Sequence, residues 1–268
     1  MVFLQVIEHH KLPYVKVSKE PKRPVGKSKN NGKKAIDRIT NRNTVHRQGE
    51  EFVSNNQEGD KSSSTSSLAA TIITKTAKTD YPINELVAKR WSARAFSTSP
   101  VERTKLLSIL EAARWAPSSR NEQPWRYIVF TNDNPEKLKK AQSVLKDINN
   151  YAKRAPVLIC AITKKTYSDN GNYNRLHFHD LGAANENMFL EAFNQGLIMH
   201  EMGGFDVQKA REVFNIPEDF EVGIMIAIGY QDIHQVLPES LRQKAHLPRE
   251  RKHLSEFAFL EELGNGII

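Results

Sequence analysis

Arg90 and Arg94 stand four residues apart, with Trp91, Ser92 and Ala93 between them. Guanidinium groups are permanently charged planar donors that suit phosphate oxygens and the anionic edge of a ring. At a helix end this spacing gathers both charges on one side with the Ser92 hydroxyl between them, although the same pair also suits a solvated helix face. A second group is Ala116-Pro117-Ser118-Ser119-Arg120-Asn121-Glu122-Gln123-Pro124-Trp125. Here a helix stops at a proline, a polar turn follows and a strand begins. The turn offers backbone N–H groups, the hydroxyls of Ser118 and Ser119, and the amides of Asn121 and Gln123, which both donate and accept. Such a mixed rim fits a flat heterocycle with N–H and C=O groups at its edge, and it also fits an ordinary loop. In Met202-Gly203-Gly204-Phe205-Asp206 the paired glycines let backbone approach a ligand just before a capped helix, or else serve a turn that needs positive φ. The late cluster Pro248-Arg249-Glu250-Arg251-Lys252 is either an anion grip or a solvated charge run.

The elements that carry these groups can be read from periodicity and caps. Ile83, Leu86 and Val87 form a short helical stripe leading into Arg90. Ser99, Pro100 and Glu102 predict a helix opened by a capping box, with Leu106, Ile109, Leu110 and Ala113 on one face and Pro117 as the stop. Trp125 to Thr131 alternates and is rich in aromatic and β-branched residues, which predicts a strand. Asn134-Pro135 opens another helix. The run Val157 to Ile162 reads as a strand buried on both faces. A long helix is predicted from about His179 to Gln195, apolar over most of its circumference and stopped by Gly196. That pattern places it between layers or in a dimer interface. Asp206 caps a short helix, and Val222 to Tyr230 predicts a further buried strand.

The order and spacing of these groups resemble the FMN-dependent nitroreductase family. The match runs through Arg-x-Ser-x-Arg at 90–94 and Ala-Pro-Ser-Ser-x-Asn-x-Gln-Pro-Trp at 116–125. It continues through His179-Asp180-Leu181-Gly182-Ala183-Ala184-Asn185-Glu186-Asn187-Met188, Gly196-Leu197, Gly203-Gly204-Phe205-Asp206, Ile228-Gly229-Tyr230 and the basic cluster. The resemblance covers residues 81–268. It implies an α+β fold, a three-layer α-β-α sandwich around a mixed or antiparallel sheet, and a homodimer with FMN at the subunit interface. It further implies NAD(P)H as a transient co-substrate and a small-molecule electron acceptor, a nitroaromatic or a quinone, reduced in a ping-pong cycle.

Carried over by position, the resemblance assigns Arg90 and Ser92 to the FMN phosphate and ribityl chain, beside Trp91. It assigns Arg94 as the cation beside flavin N1 and O2. Pro117, Ser118, Ser119, Asn121 and Gln123 line the cleft, from the partner subunit or across from it. The Gly203 and Gly204 amides face N5 and O4, and Arg249 and Arg251 close on the phosphate. No side-chain nucleophile or acid/base is required, because the flavin carries the chemistry with electrostatic support from Arg94. Trp91 stands where the family often has Arg or His, and Gly203 where some members carry Glu, so the acceptor does not follow from better-known relatives. Reductive dehalogenation and azoline oxidation on the same scaffold are the alternatives. The segment Thr166 to Phe178 is expected to set acceptor choice.

Charge divides the chain. Residues 1–80 hold 15 of its 39 Lys/Arg but only 8 of its 31 Asp/Glu, so almost all of the formal +8 comes from there. Residues 16–67 are poor in apolar side chains and rich in Lys, Asn, Ser and Gly, which predicts a disordered leader up to residue 80 and a folded domain over 81–268. Nucleic-acid binding is then a property of the tail alone and not of the folded domain. One cysteine, Cys160, and no apolar run long enough for a membrane span point to a cytoplasmic, non-membrane protein. His177, His179, Asp180 and His200 are ligand types that suit zinc or iron, but residues two apart diverge on a helix, so no metal is expected. No Gly-x-Gly-x-x-Gly follows a predicted strand, which excludes a Rossmann nicotinamide domain.

Overall fold

A computed structural model describes residues 72–268, so the greater part of the basic leader, residues 1–71, lies outside the described residues. Four antiparallel strands form one sheet in the order β1-β2-β4-β3, with β1 Trp125–Thr131, β2 Val157–Lys164, β3 Ile198–Met202 and β4 Phe220–Gly229. The expected mixed or antiparallel sheet is therefore purely antiparallel. Among the described residues six α-helices accompany it: α1 Glu85–Lys89, α2 Arg103–Arg114, α3 Pro135–Gln142, α4 His177–Asn194, α5 Val207–Val213 and α6 Glu239–His246.

The alternation within β2 shows why three layers form. Leu158, Cys160 and Ile162 face one core, together with Ala93, Phe96, Leu138 and Phe205. Val157, Ile159 and Ala161 face the other, with Ile109 of α2 and Leu181, Ala184 and Met188 of α4. A central strand covered on both faces is read as a continuous apolar run, as this one was. Burial pushes the Cys160 thiol up to about 12, so it acts as a small packing residue.

α4 ends as its sequence suggests. Gly196 adopts φ +75, Leu197 N–H donates to Ala192 O (2.9 Å) and Gly196 N–H donates to Phe193 O (3.0 Å). This Schellman closure turns the chain straight into β3. Asn134 and Asp206 cap α3 and α5 through side-chain bonds to Lys137 N and Lys209 N.

Other expectations need correction. The predicted capping box at Ser99 does not form, and α2 begins at Arg103 with no side-chain cap. The Ser97 hydroxyl accepts the Ser99 N–H at 3.1 Å, and the Glu102 carboxylate accepts from the Tyr230 hydroxyl at 2.6 Å. A neighbouring hydroxyl and a distant one thus took the groups the cap needed. Trp125 is buried in the core, whereas Trp115 is 73% exposed. Residues 72–79, read as leader, are tied to the folded body: Gln231 Nε2 donates to Ile73 O (2.7 Å) and Ala77 N–H to Ala88 O (2.8 Å). No helix among the described residues is long and apolar enough to cross a membrane.

Candidate functional site

α1 stops at Lys89, so Arg90 to Ala95 do not continue a helix as expected. Instead Ala93 and Ala95 are buried and Ser92 is exposed, while Arg90, Trp91 and Arg94 are half-buried. The two guanidiniums line different clefts, Arg90 one and Arg94 another, with Ser92 between them in sequence. His200 of β3 supports this segment from behind, its Nδ1 3.0 Å from Ala93 O and its ring edge-on to Tyr151 at 5.3 Å.

Arg90 faces a cleft of about 560 Å³ whose far side is the C-terminal segment, including Arg249 and Arg251. Arg90 lies over the Phe189 ring, 4.6 Å from its centroid, and 3.6 Å from Glu186. Its Nε is buried without a hydrogen-bond partner. Arg249 donates to the carbonyls of Lys75 (3.1 Å) and Ala88 (2.6 Å). Burial, then the positive charges of Arg90 and Arg251, hold Arg249 below the ordinary arginine value. Like charges packed this way repel one another until an anion enters.

Arg94 faces a second cleft, of about 240 Å³, lined also by Tyr151, Gly203, Gly204 and Lys244. Its guanidinium lies 5.7 Å from the Tyr151 ring centroid. Burial raises the Tyr151 hydroxyl pKa, against the opposing pull of Arg94. Neither Gly203 nor Gly204 has positive φ, so the turn reading of that pair is set aside. Gly204 instead admits Asn149, whose Nδ2 donates to Gly204 O at 2.8 Å and would sit 2.8 Å from any added Cβ. Among the described residues neither glycine N–H donates to a backbone carbonyl, which leaves two adjacent donors at the cleft.

The loop after α2 is separate. Ser118 Oγ accepts from Gln123 N–H (3.0 Å), Gln123 Nε2 donates to Asn121 O (3.0 Å), and Ser119 N–H donates to the buried carboxylate of Asp180 (3.0 Å). Arg120, Asn121 and Gln123 have φ of 54, 56 and 51, on either side of a right-handed Glu122 at φ −66, a cluster of positive φ in non-glycine residues that is seldom kept without reason. Pro117 and Asn121 are exposed. The segment Thr166 to Phe178 packs on this loop, with the Tyr167 hydroxyl 3.0 Å from Ser119 Oγ and the Ser168 N–H donating to Glu122 (3.0 Å). Register places Trp125 across from Thr163 and Glu221, and Met202 across from Met225. The loop and Gly203 are thus separated by roughly 14 Å across strands and roughly 13 Å along them. One copy of the chain does not bring both to a single ring system.

Of the histidines weighed as ligands, His179 Nδ1 lies 3.2 Å from Asp180, His177 is buried beside Tyr173, and His200 stands apart on β3. Among the described residues no group of three such side chains gathers. Tyr151, Asn149, Lys244 and Asp180 in its loop-holding role gave no sign in the sequence. Each is brought in by tertiary contact, Asp180 as the first-turn acid of α4 that bonds the polar turn before β1.

A model of the nitroreductase family matches residues 87–155 and 147–230, more than half of the chain. An uncharacterized 15.4 kDa protein from the ask 5' region of Mycolicibacterium smegmatis is 32% identical over 127 residues, covering 46% of this chain and 81% of that one. A protein of Archaeoglobus fulgidus provisionally named NADH dehydrogenase/NAD(P)H nitroreductase is 28% identical over 154 residues, covering 54% and 83%. Among solved structures, one described as an oxidoreductase containing FMN superposes with a TM-score of 0.67 at 33% identity, over 70% of this chain and 96% of its own.

Proposed function

The chain belongs to the nitroreductase family, and from that premise we propose that it is an NAD(P)H-dependent FMN oxidoreductase that reduces small electron-poor acceptors such as nitroaromatics and quinones. The observation that carries this reading is the packing of Arg90, Arg249 and Arg251 around one cleft, with Arg94 and two donor amides at the next. A mononucleotide has the matching halves, a dianionic phosphate and a flat ring with an acceptor edge. The buried Arg90 Nε without a partner is a donor such a phosphate would satisfy.

FMN, when bound, would supply the redox chemistry, hydride exchange between NAD(P)H and the acceptor. The chain's own residues bind and polarise. Arg90, Arg249 and Arg251 would hold the phosphate, with Ser92 on the ribityl side. Arg94 would supply a fixed cation where negative charge builds on the ring, in a cleft already shaped by Tyr151 and therefore needing little reorganisation. The N–H groups of Gly203 and Gly204 would donate to the ring's carbonyl edge. The nicotinamide co-substrate and the acceptor use one site in turn, so no separate dinucleotide fold is needed.

The separation of the 117–123 loop from the Arg94 cleft supports a homodimer in which the loop of a second copy closes over the ring. Leu107 and Trp115 on α2 and Phe178 on α4 are exposed apolar side chains available for such an interface. Through that loop, the segment Thr166 to Phe178 would reach the acceptor. A cytoplasmic location goes with this reading.

The test is the absorbance spectrum of the purified protein. Flavin bands that bleach with NAD(P)H and return with a nitroaromatic or quinone are the expected result; a folded protein that stays colourless after incubation with FMN would overturn the reading. Within it, Arg94→Ala is expected to weaken flavin binding by about tenfold or more, the scale of one charge-assisted hydrogen bond. Arg120→Ala, at an exposed position, should have less effect. Full flavin content and NAD(P)H oxidation in purified Arg94→Ala would remove that residue from its assigned role.

A further inference from the structure

Residues 72–81 precede both α1 and the stretch matched by the family model, which begins at residue 87. They run along the folded body as a strap with a period of two. Ile73, Lys75 and Ala77 are half-buried, while Ile72, Thr74, Thr76 and Lys78 are exposed. Two of the ties that hold the strap lead to the C-terminal segment: Lys75 Nζ donates to Leu247 O at 2.5 Å, and Arg249 donates to Lys75 O at 3.1 Å. The Lys75 ammonium also lies 4.9 Å from the centroid of the Trp91 ring.

The anchor point has a physical cause. A helix leaves its last carbonyls without partners inside itself. In the five-residue α1, the Ala88 carbonyl receives both the Ala77 N–H of the strap (2.8 Å) and the Arg249 guanidinium (2.6 Å). Strap and arginine are thereby fixed on the same acceptor. Beyond this point the strap continues as a wall of the 560 Å³ cleft, where Lys78 and Thr79 stand among the same lining residues as Arg90, Arg249 and Arg251. Two acids, Asp80 and Glu250, share that lining, with His253 4.0 Å from Asp80. Cations still predominate, and a lysine brought into such company is stabilised by an anion and opposed without one.

We propose that this strap is part of the cofactor site: it orients Arg249 through the Lys75 and Ala88 carbonyls, and Lys78 with Thr79 adds a cation and a hydroxyl to the grip on the FMN phosphate. The inference rests on the FMN reading above and extends the binding site beyond the region shared with the family. It makes Lys78 and Thr79 binding residues and the Ala77 tie a positioning contact.

FMN and riboflavin differ only by the phosphate, so titrating both into the full-length chain isolates this grip. Lys78→Ala should raise the Kd for FMN about three- to tenfold and leave that for riboflavin within about twofold. Ala77→Pro, which removes the N–H donated to Ala88 O, should weaken FMN at least as much and shift the FMN-to-riboflavin ratio in the same direction. If both variants bind FMN as the wild type does, or lose the two flavins in equal proportion, the strap is only a staple and the inference is overturned. A wild-type chain that binds neither flavin overturns the FMN reading itself, and this with it.

Discussion

Around Arg90, Arg249 and Arg251 the chain collects an excess of positive charge and leaves a buried donor unmatched, whereas in residues 117–123 almost every polar group has a partner and the backbone carries the strain. In the cleft, burial and then positive charges depress Arg249, and a buried Arg90 Nε makes no hydrogen bond, with the Glu186 carboxylate 3.6 Å away. In the loop, three non-glycine residues sit at positive φ, yet Ser118, Ser119, Glu122 and Gln123 are all hydrogen-bonded. The cleft is unfinished electrostatically and needs an anion to complete it. The loop is finished electrostatically and held in a shape it would not choose alone. A binding surface can be prepared in either way, and the two should fail differently: the cleft through charge and ligand, the loop through lost hydrogen bonds and backbone preference.

The largest expected effect lies at the Arg94 cleft, which His200 lines. His200 is buried against Ala93 O, and burial lowers its pKa from 6.5 to about 4. The fold therefore holds the neutral ring, while the unfolded chain takes up a proton near pH 6.5. This contribution is whole above about pH 6.5, declines as the pH falls, and is gone below about 4, a total of roughly 3 kcal/mol. Urea unfolding of wild type and His200→Gln at pH 7.5, 6 and 4.5 checks it. The wild type should lose ground against the variant as the pH falls; a stability difference that does not change with pH would refute the assignment.

Asp180 gives the loop's counterpart. Its carboxylate is 2% exposed as a residue and accepts the Ser119 N–H across 61 positions of sequence. Asp180→Ala leaves that donor without a partner and should cost about 2 kcal/mol. Asp180→Asn retains an acceptor oxygen and should cost less than half of that. The loss should be nearly independent of salt, in contrast to any variant of the cationic cleft. Equal destabilisation by Ala and Asn would show that packing, not the hydrogen bond, fixes the loop.

The same contrast explains what was legible in the sequence. β1 and β2 could be read because their alternation and apolar run state both faces of the sheet at once, and α3 and α5 because Asn134 and Asp206 bond within their own first turns. β3 could not be: Ile198-Met199-His200-Glu201-Met202 has no strong strand preference, and its identity comes from pairing with β4. The false capping box arose because Glu102 has a better partner in Tyr230, 128 residues away. The arginines announced themselves by residue type, since few other side chains do what a guanidinium does. The residues that shape their surroundings, Tyr151, Asn149, Lys244 and the strap at 72–79, are ordinary in composition and acquire their roles only by tertiary approach.

The smallest expected effect isolates backbone strain from side-chain contact. Arg120 has φ 54, and its side chain contributes an exposed pair with Asp169 at 3.7 Å and a stacking contact with Tyr167 at 4.8 Å, both of which any small replacement removes. Exposed pairs of this kind are worth at most about 1 kcal/mol. Arg120→Ala loses them and keeps the left-handed penalty, so it should be less stable than wild type by about 0.5 kcal/mol. Arg120→Gly loses the same contacts but relieves a penalty of about 1 kcal/mol, partly offset by the greater freedom of glycine in the unfolded chain. Glycine should therefore be the more stable of the two variants by a few tenths of a kcal/mol. At Ser92, an exposed residue outside the positive-φ set, the order should reverse, with Ser92→Ala more stable than Ser92→Gly by about 0.4–1 kcal/mol. Thermal denaturation of the four variants side by side decides the matter, because the same sign at both positions would mean that the loop stores no more strain than the stretch between the two arginines.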